Sequence, residues 1–143
     1  MAVFTLDTSA VFALLKRERE YEKVAGLLRS ARDESDVQVL LPFIAVMEVE
    51  YKLLRDLLDE SDVKYWLDVV LAWPVELVQS SLDWASNAAR VKAQGRISLA
   101  DAWVAGLALQ ENAVLVHKDP EFDAVRDLQH LRLPYDRDAG VGR

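Results

Sequence analysis

An α/β domain built on a parallel sheet is the fold class this sequence predicts, and three observations predict it. Short apolar, β-prone runs alternate with longer stretches of helical periodicity; no internal repeat or low-complexity segment interrupts them; and 143 residues at 52% hydrophobic content suffice to bury one ordinary core. The runs Val3–Leu6, Val37–Leu41, Val75–Val78 and Ala113–His117 read as buried strands, with Leu131–Tyr135 a fifth at an edge. Between them the spacing predicts helices over Ser9–Lys16, Tyr21–Asp33, Phe43–Leu58, Asp62–Ala72, Leu82–Gln94 and Leu99–Gln110, and a short one over Pro120–Asp127. Val24, Leu27, Leu28 and Ala31 illustrate the i, i+3, i+4, i+7 stripe on which these helices rest. Residues 1–135 then form one domain, and the polar stretch 136–143, with two glycines, reads as a flexible tail.

Composition narrows the function classes. With 24 acidic against 17 basic residues the net charge is −7, which argues against holding nucleic acid by bulk electrostatics but not against a local site where metal ions offset acids. The absence of cysteine excludes disulfides and thiolate zinc sites. Only His117 and His130 supply imidazoles, so a metal site would be built from oxygens, which favours Mg2+ or Mn2+. The longest apolar stretch, Val37 to Met47, is 11 residues, contains Gln38 and Pro42 and meets Glu48. It is too short to span a bilayer. The opening MAVFTLDTS lacks the basic n-region of a leader. A soluble, cytoplasmic protein is expected.

In a parallel α/β domain strand C-termini and helix N-termini gather at one edge, where ligands bind. Asp7 follows the first strand and opens a helix, and Asp119 does the same after Ala113–His117. Glu48 lies in the second turn of the helix after the second strand, and Asp101 in the first turn of the helix before Ala113. Topology therefore draws four carboxylates from distant segments towards one edge. Each also has a plain structural reading: Asp7 as a cap, Asp119-Pro120 as an N-cap with Pro at N1, and Ser98 to Asp101 as a capping box whose carboxylate returns to the Ser98 backbone. Glu48 resists such a reading, because it interrupts Ile44, Ala45, Val46, Met47 and Val49, and a buried carboxylate without a partner is costly. Four converging acids would raise one another's pKa values, which a divalent cation relieves.

At these residues the sequence resembles the PIN-domain ribonucleases, most closely the VapC toxins of type II toxin–antitoxin systems. The matching pieces are Phe4-Thr5-Leu6-Asp7-Thr8-Ser9, Leu41-Pro42-Phe43-Ile44-Ala45-Val46-Met47-Glu48, Ser98-Leu99-Ala100-Asp101-Ala102 with its small residues to Ala108, and Leu115-Val116-His117-Lys118-Asp119-Pro120-Glu121-Phe122. Their order extends the resemblance over nearly the whole chain. It implies a three-layer domain with a central parallel sheet of four to five strands, an Mg2+ or Mn2+ site, and endonucleolytic cleavage of RNA. Asp7, Glu48, Asp101 and Asp119 would be the metal-binding acids, Thr8 or Ser9 the supporting hydroxyl, and Asp123 a weaker candidate one turn after Asp119. A homodimer and a cognate antitoxin are implied partners, the antitoxin taking a groove around Ser9 to Asp33, where Val11, Leu14, Leu15 and Leu28 look exposed. Many such toxins are closer to neutral or basic, so an RNA grip here must be local. Lys52 and Arg55, on the face of Glu48, with Arg96 and Lys118, are its candidates, although a solvated helix face explains the first two equally well. Trp66, Trp73, Trp84 and Trp103 read as core or interface, and His117 and His130 as ordinary strand-end or surface residues.

Alternatives stay open at this level. A PIN-domain RNA-processing nuclease outside toxin–antitoxin systems would carry the same acids. A phosphoacceptor domain would also use an acidic sheet edge with Lys118 nearby, although it lacks adjacent acids after the first strand. An interaction module whose acids are all caps would need no metal.

Overall fold

The computed structural model describes residues 1–56 and 59–135. The tail at 136–143 and the end of the predicted helix at 57–58 lie outside the described residues. Five strands, β1 (Ala2–Leu6), β2 (Val37–Pro42), β3 (Glu76–Val78), β4 (Val114–His117) and β5 (Gln129–Arg132), form one parallel sheet in the order β3-β2-β1-β4-β5. The helices are α1 (Thr8–Leu15), α2 (Tyr21–Asp33), α3 (Phe43–Arg55), α4 (Glu60–Leu71), α5 (Leu82–Gln94) and α6 (Leu99–Gln110), followed by a 3-10 turn over Pro120–Ala124. No helix among the described residues is long and apolar enough to cross a membrane.

Topology positions the site. From β1 the chain steps outward to β2 and β3, then returns through α5 and α6 to place β4 on the other side of β1, pairing Leu6 with Val116. The strand order thus reverses between β1 and β4, and a crevice opens beyond their C-terminal ends. Asp7 and Asp119 leave the sheet there, and the Asp7 N–H donates to Val116 O at 3.0 Å, holding the two exits in register.

Helices cover both faces. On one, α1 to α4 bury Leu6, Val11, Val24, Leu41, Val49 and Val70; on the other, α5 and α6 bury Val91, Ala105, Leu115 and Phe122. Val11 and Leu28, which the sequence suggested were exposed, belong to the first core, and Leu14 and Leu15 are half-buried. The reason is packing on two sides: α1 sits on the sheet and is itself covered by α2 and α3, so its apolar positions are consumed by neighbours. The last strand lies two to three residues earlier than predicted, because a left-handed turn at Asp127 (φ 63°) returns the chain directly into pairing with β4.

Between α5 and α6 the backbones nearly touch. A Cβ added at Gly106 would stand 2.8 Å from Ala88 N and 2.9 Å from its Cα, so only glycine permits this approach. Trp84 lies at the same contact, fully buried, donating from Nε1 to Trp103 O at 2.6 Å and edge-on to Phe43 and Trp103. These rings serve the core, as the sequence suggested, while Trp66 is exposed beside Tyr65.

Candidate metal centre

Asp7 caps α1 with one carboxylate oxygen, Oδ2, which accepts from Ser9 N at 3.0 Å and Ser9 Oγ at 2.5 Å. Its other oxygen, Oδ1, is buried and has no hydrogen-bond partner. Burial, reinforced by the negative charges of Glu48 and Asp119, pushes its pKa up to about 6 despite the two Ser9 bonds. A cap accounts for half of this side chain. The other half is a buried acceptor without a donor, which a bound cation would satisfy.

Asp101 departs further from the structural reading. Its N–H donates to Ser98 Oγ at 3.1 Å, completing one half of the predicted capping box. The other half belongs to a different residue, because the Ser98 N–H donates to Glu121 Oε1 and not to Asp101. The Asp101 carboxyl is thereby released from capping and lies buried against Asp119 and Glu121; ligand atoms of the three fall within 4.8 Å of one another. Burial first, then Asp7, Asp119 and Glu121, raise its pKa to about 9.

The remaining acids are held just as specifically. Asp119 Oδ1 accepts from Glu121 N at 2.9 Å, with Pro120 at the first position of the turn. Glu48, half-buried on α3, accepts from the Thr8 hydroxyl at 2.9 Å, so the carboxylate that the sequence could not explain faces the crevice. Both candidate hydroxyls are therefore engaged, Ser9 on Asp7 and Thr8 on Glu48. Ser9 Oγ also accepts from Lys118 N at 2.8 Å, which ties the loop after β4 to α1.

Other candidates fall around this centre. Asp123 is turned away from the acids towards Arg132 and Tyr135, at 2.8 and 2.9 Å, in a group with His117 and His130. His117 is fully buried and is no surface residue. Burial and the neighbouring His130 hold its pKa down to about 4, so the ring is neutral at physiological pH. It accepts the Asp119 N–H at Nδ1 (3.1 Å), so the neutral ring carries its proton on Nε2, and that N–H donates to His130 Nδ1 at 2.8 Å. Lys118 pairs with Glu18 at 3.3 Å and shares a groove with Ser9, Lys16, Lys52 and Arg55. Arg96 stands elsewhere, lining a cavity with Arg126 and Glu121.

Sequence reasoning missed Glu121 as a site residue, although it stands two positions after Asp119 in the same motif. The signal was the Ser98 N–H at the start of α6, an orphan donor once Asp101 is assigned elsewhere. Lys16 was likewise missed at the cationic groove.

As a donor set, these side chains fit a hard divalent cation. All are oxygens, two carboxyls are held above their usual pKa by burial and mutual proximity, and one buried oxygen has no donor. Among the described residues, Asp101, Asp119 and Glu121 already stand at distances a single ion could bridge.

Residues 4–128 match the PIN domain family. No curated protein matches the sequence. Among solved structures, the fold is similar to VapBC2 from Rickettsia felis bound to a promoter DNA fragment (TM-score 0.75, 17% identity, 92% of this chain and 98% of that one). It is also similar to VapBC from Salmonella typhimurium bound to DNA (0.67, 18%, 92% and 98%) and to VapBC-1 from nontypeable Haemophilus influenzae (0.66, 22%, 91% and 97%). With the family matched from the first strand to the turn before the last, and the same three-layer fold, this chain belongs to the PIN-domain family.

Proposed function

We propose that this chain is a divalent-metal-dependent endoribonuclease and the toxin of a type II toxin–antitoxin pair. The observation that carries the reading is the convergence of Asp7, Glu48, Asp101 and Asp119 at the strand-order reversal, with Asp7 Oδ1 buried and unpartnered. These four would hold Mg2+ or Mn2+, with Glu121 beside them. The chemistry such a cation supplies is a water of lowered pKa and an electrophile for the phosphoryl oxygen. The chain's own residues do the rest: Ser9 and Thr8 fix the first two carboxylates, His117 steadies the turn that carries Asp119, and the crevice orients the phosphodiester.

A substrate carrying many negative charges needs a grip despite the net charge of −7. The groove that borders the centre at Ser9 gathers Lys16, Lys52, Arg55 and Lys118 against only Glu18 and Asp56, and we assign it the RNA backbone. The likeness to VapBC structures supports a cognate antitoxin as partner; a homodimer and a cytoplasmic setting complete the proposal. The phosphoacceptor alternative gains nothing here, since Lys118 is engaged with Glu18. A module of caps would leave Asp101 unexplained, because Glu121 takes the capping bond.

The test is induction of wild type and Asp101→Asn in a host lacking the antitoxin, with growth followed and RNA 5′ ends mapped. Growth arrest with new ends that depend on Asp101 is expected. Identical growth and ends, with both proteins soluble and folded, would overturn the reading.

A further inference from the structure

A second cavity borders the acidic centre on a side the cationic groove does not reach. Its lining comes from the end of α5, the loop into α6 and the 3-10 turn, and its shared element with the centre is Glu121. At about 210 Å³ it is smaller than the ~300–1,000 Å³ typical of pockets for drug-sized ligands, which leaves space for one planar base. Val91, Ile97 and Val125 give it an apolar floor, and Ile97 is fixed there because its carbonyl accepts from Lys92 Nζ at 2.7 Å. Arg96 and Arg126 stand at its rim, both exposed.

The chemistry of this lining is selective. Single-strand recognition generally stacks an unstacked base on an aromatic ring or a guanidinium plane; with no ring in this lining, the base would rest on the aliphatic floor and against a guanidinium of Arg96 or Arg126. Arginine offers only donors, and its forked pair matches two adjacent acceptors, the O6 and N7 of guanine. Glu121 offers only acceptors, and one of its oxygens is committed to the Ser98 N–H. Its carboxylate also stands beside Asp101 and Asp119, so the discrimination between bases falls to the two arginines. Uracil and cytosine lack the O6/N7 pair, and adenine presents an amino donor where guanine presents O6.

We propose that this cavity is the base-specificity subsite of the enzyme, taking a guanine of the RNA strand next to the phosphate held at the acids. It rests on the nuclease reading for its role, but its ligand chemistry stands on the cavity alone. The strand would then run from the cationic groove at Ser9, across the carboxylates, to the guanine subsite at Glu121.

The test separates the subsite from the nuclease reading by measuring binding as well as cleavage. Asp101→Asn protein is titrated with the four nucleoside monophosphates and with short oligoribonucleotides, with and without guanine, following backbone amide shifts. Guanosine monophosphate is expected to shift Ile97, Ala124 and Val125 and to bind about tenfold or more tightly than the pyrimidine nucleotides. Adding Arg96→Ala and Arg126→Ala should remove that preference with no change in melting temperature, since both side chains are exposed. In mapped RNA ends from the active enzyme, guanine should be enriched at one fixed offset from the cut, and the same arginine substitutions should erase it. Equal affinity for all four nucleotides, or shifts outside the cavity, would overturn the subsite. So would an oligonucleotide that binds no more tightly than guanosine monophosphate, because the pocket would then serve a free nucleotide. Guanine binding at the cavity with no cleavage of any RNA would instead strike the nuclease reading and leave the pocket standing.

Discussion

Asp101 and Gly106 sit little more than one turn apart on α6 and obey opposite rules. At Asp101 a carboxyl is buried beside three others and its pKa rises to about 9, a local arrangement that works against folding. At Gly106 the packing works for folding, because the missing Cβ lets α6 close onto the Ala88 backbone in the layer that carries the buried Trp84. The closely packed stretch thus holds the unfavourable one in place. Sites that store electrostatic strain persist where the surrounding structure over-determines them.

The sharpest way to break this contrast is Asp101→Asn. Cleavage should fall by about a thousandfold or more, because a ligand charge is lost from the transition state. Stability should move the other way. A folded pKa near 9 against an unfolded value near 3.8 means that the native state holds the extra proton between those limits, so metal-free wild type loses stability as pH rises from about 4 to 9. Asp7 adds to the loss between about 4 and 6. Melting curves in chelator should therefore show Asp101→Asn overtaking wild type towards pH 8, and Mn2+ should stabilise wild type more than the variant there. Parallel curves across that range would show that Asp101 carries no such strain.

Next in size is Ser9→Ala. It removes the O–H that reaches Asp7 Oδ2 and, with it, the Oγ that accepts from the Lys118 N–H. Mn2+ affinity by calorimetry should drop about 10- to 100-fold, the usual cost of losing a residue that orients a metal ligand. Unchanged affinity would mean that the Ser9 N–H alone orients Asp7.

Gly106→Ala probes the other pole. A Cβ at 2.8 Å from backbone must push α5 away, which costs about 1–3 kcal/mol, while the helix gains at most about 1 kcal/mol from alanine. A melting temperature several degrees lower is expected, with Mn2+ affinity per folded molecule unchanged. If affinity falls in step with stability, the two halves of α6 are one unit and the contrast fails.

These residues also mark what was legible in the sequence. Convergence of Asp7, Glu48, Asp101 and Asp119 followed from one topological rule about parallel strands, so element order sufficed to bring them to one edge. Burial and partnership did not follow. Val11 looked free because helix periodicity reports an apolar face without saying how many neighbours share it, and α1 is enclosed by the sheet, α2 and α3. Glu121 entered only as a letter of the motif after the fourth strand, and its bond to Ser98 spans 23 positions, so the orphan donor at Ser98 could not name it. His117 looked like a strand-end residue, and only the fold shows both ring nitrogens committed in the core.

The smallest effect distinguishes the two approaches to the acids. If the groove at Ser9 holds phosphates, its cations act without regard to sequence, and removing one cation from a phosphate should reduce the slope of log affinity against log salt by about 0.7 for single-stranded RNA. Lys52→Ala with Arg55→Ala should flatten that slope for every oligonucleotide alike, with guanine preference intact, because both residues line the groove and neither lines the cavity at Glu121. Lys52 and Arg55 also lie 6.0 and 5.6 Å from the rings of Phe12 and Tyr51, so each side chain has an aromatic neighbour to orient it on the groove wall. A slope that does not change would return both residues to a solvated helix face, and the backbone grip would have to come from Lys16 and Lys118.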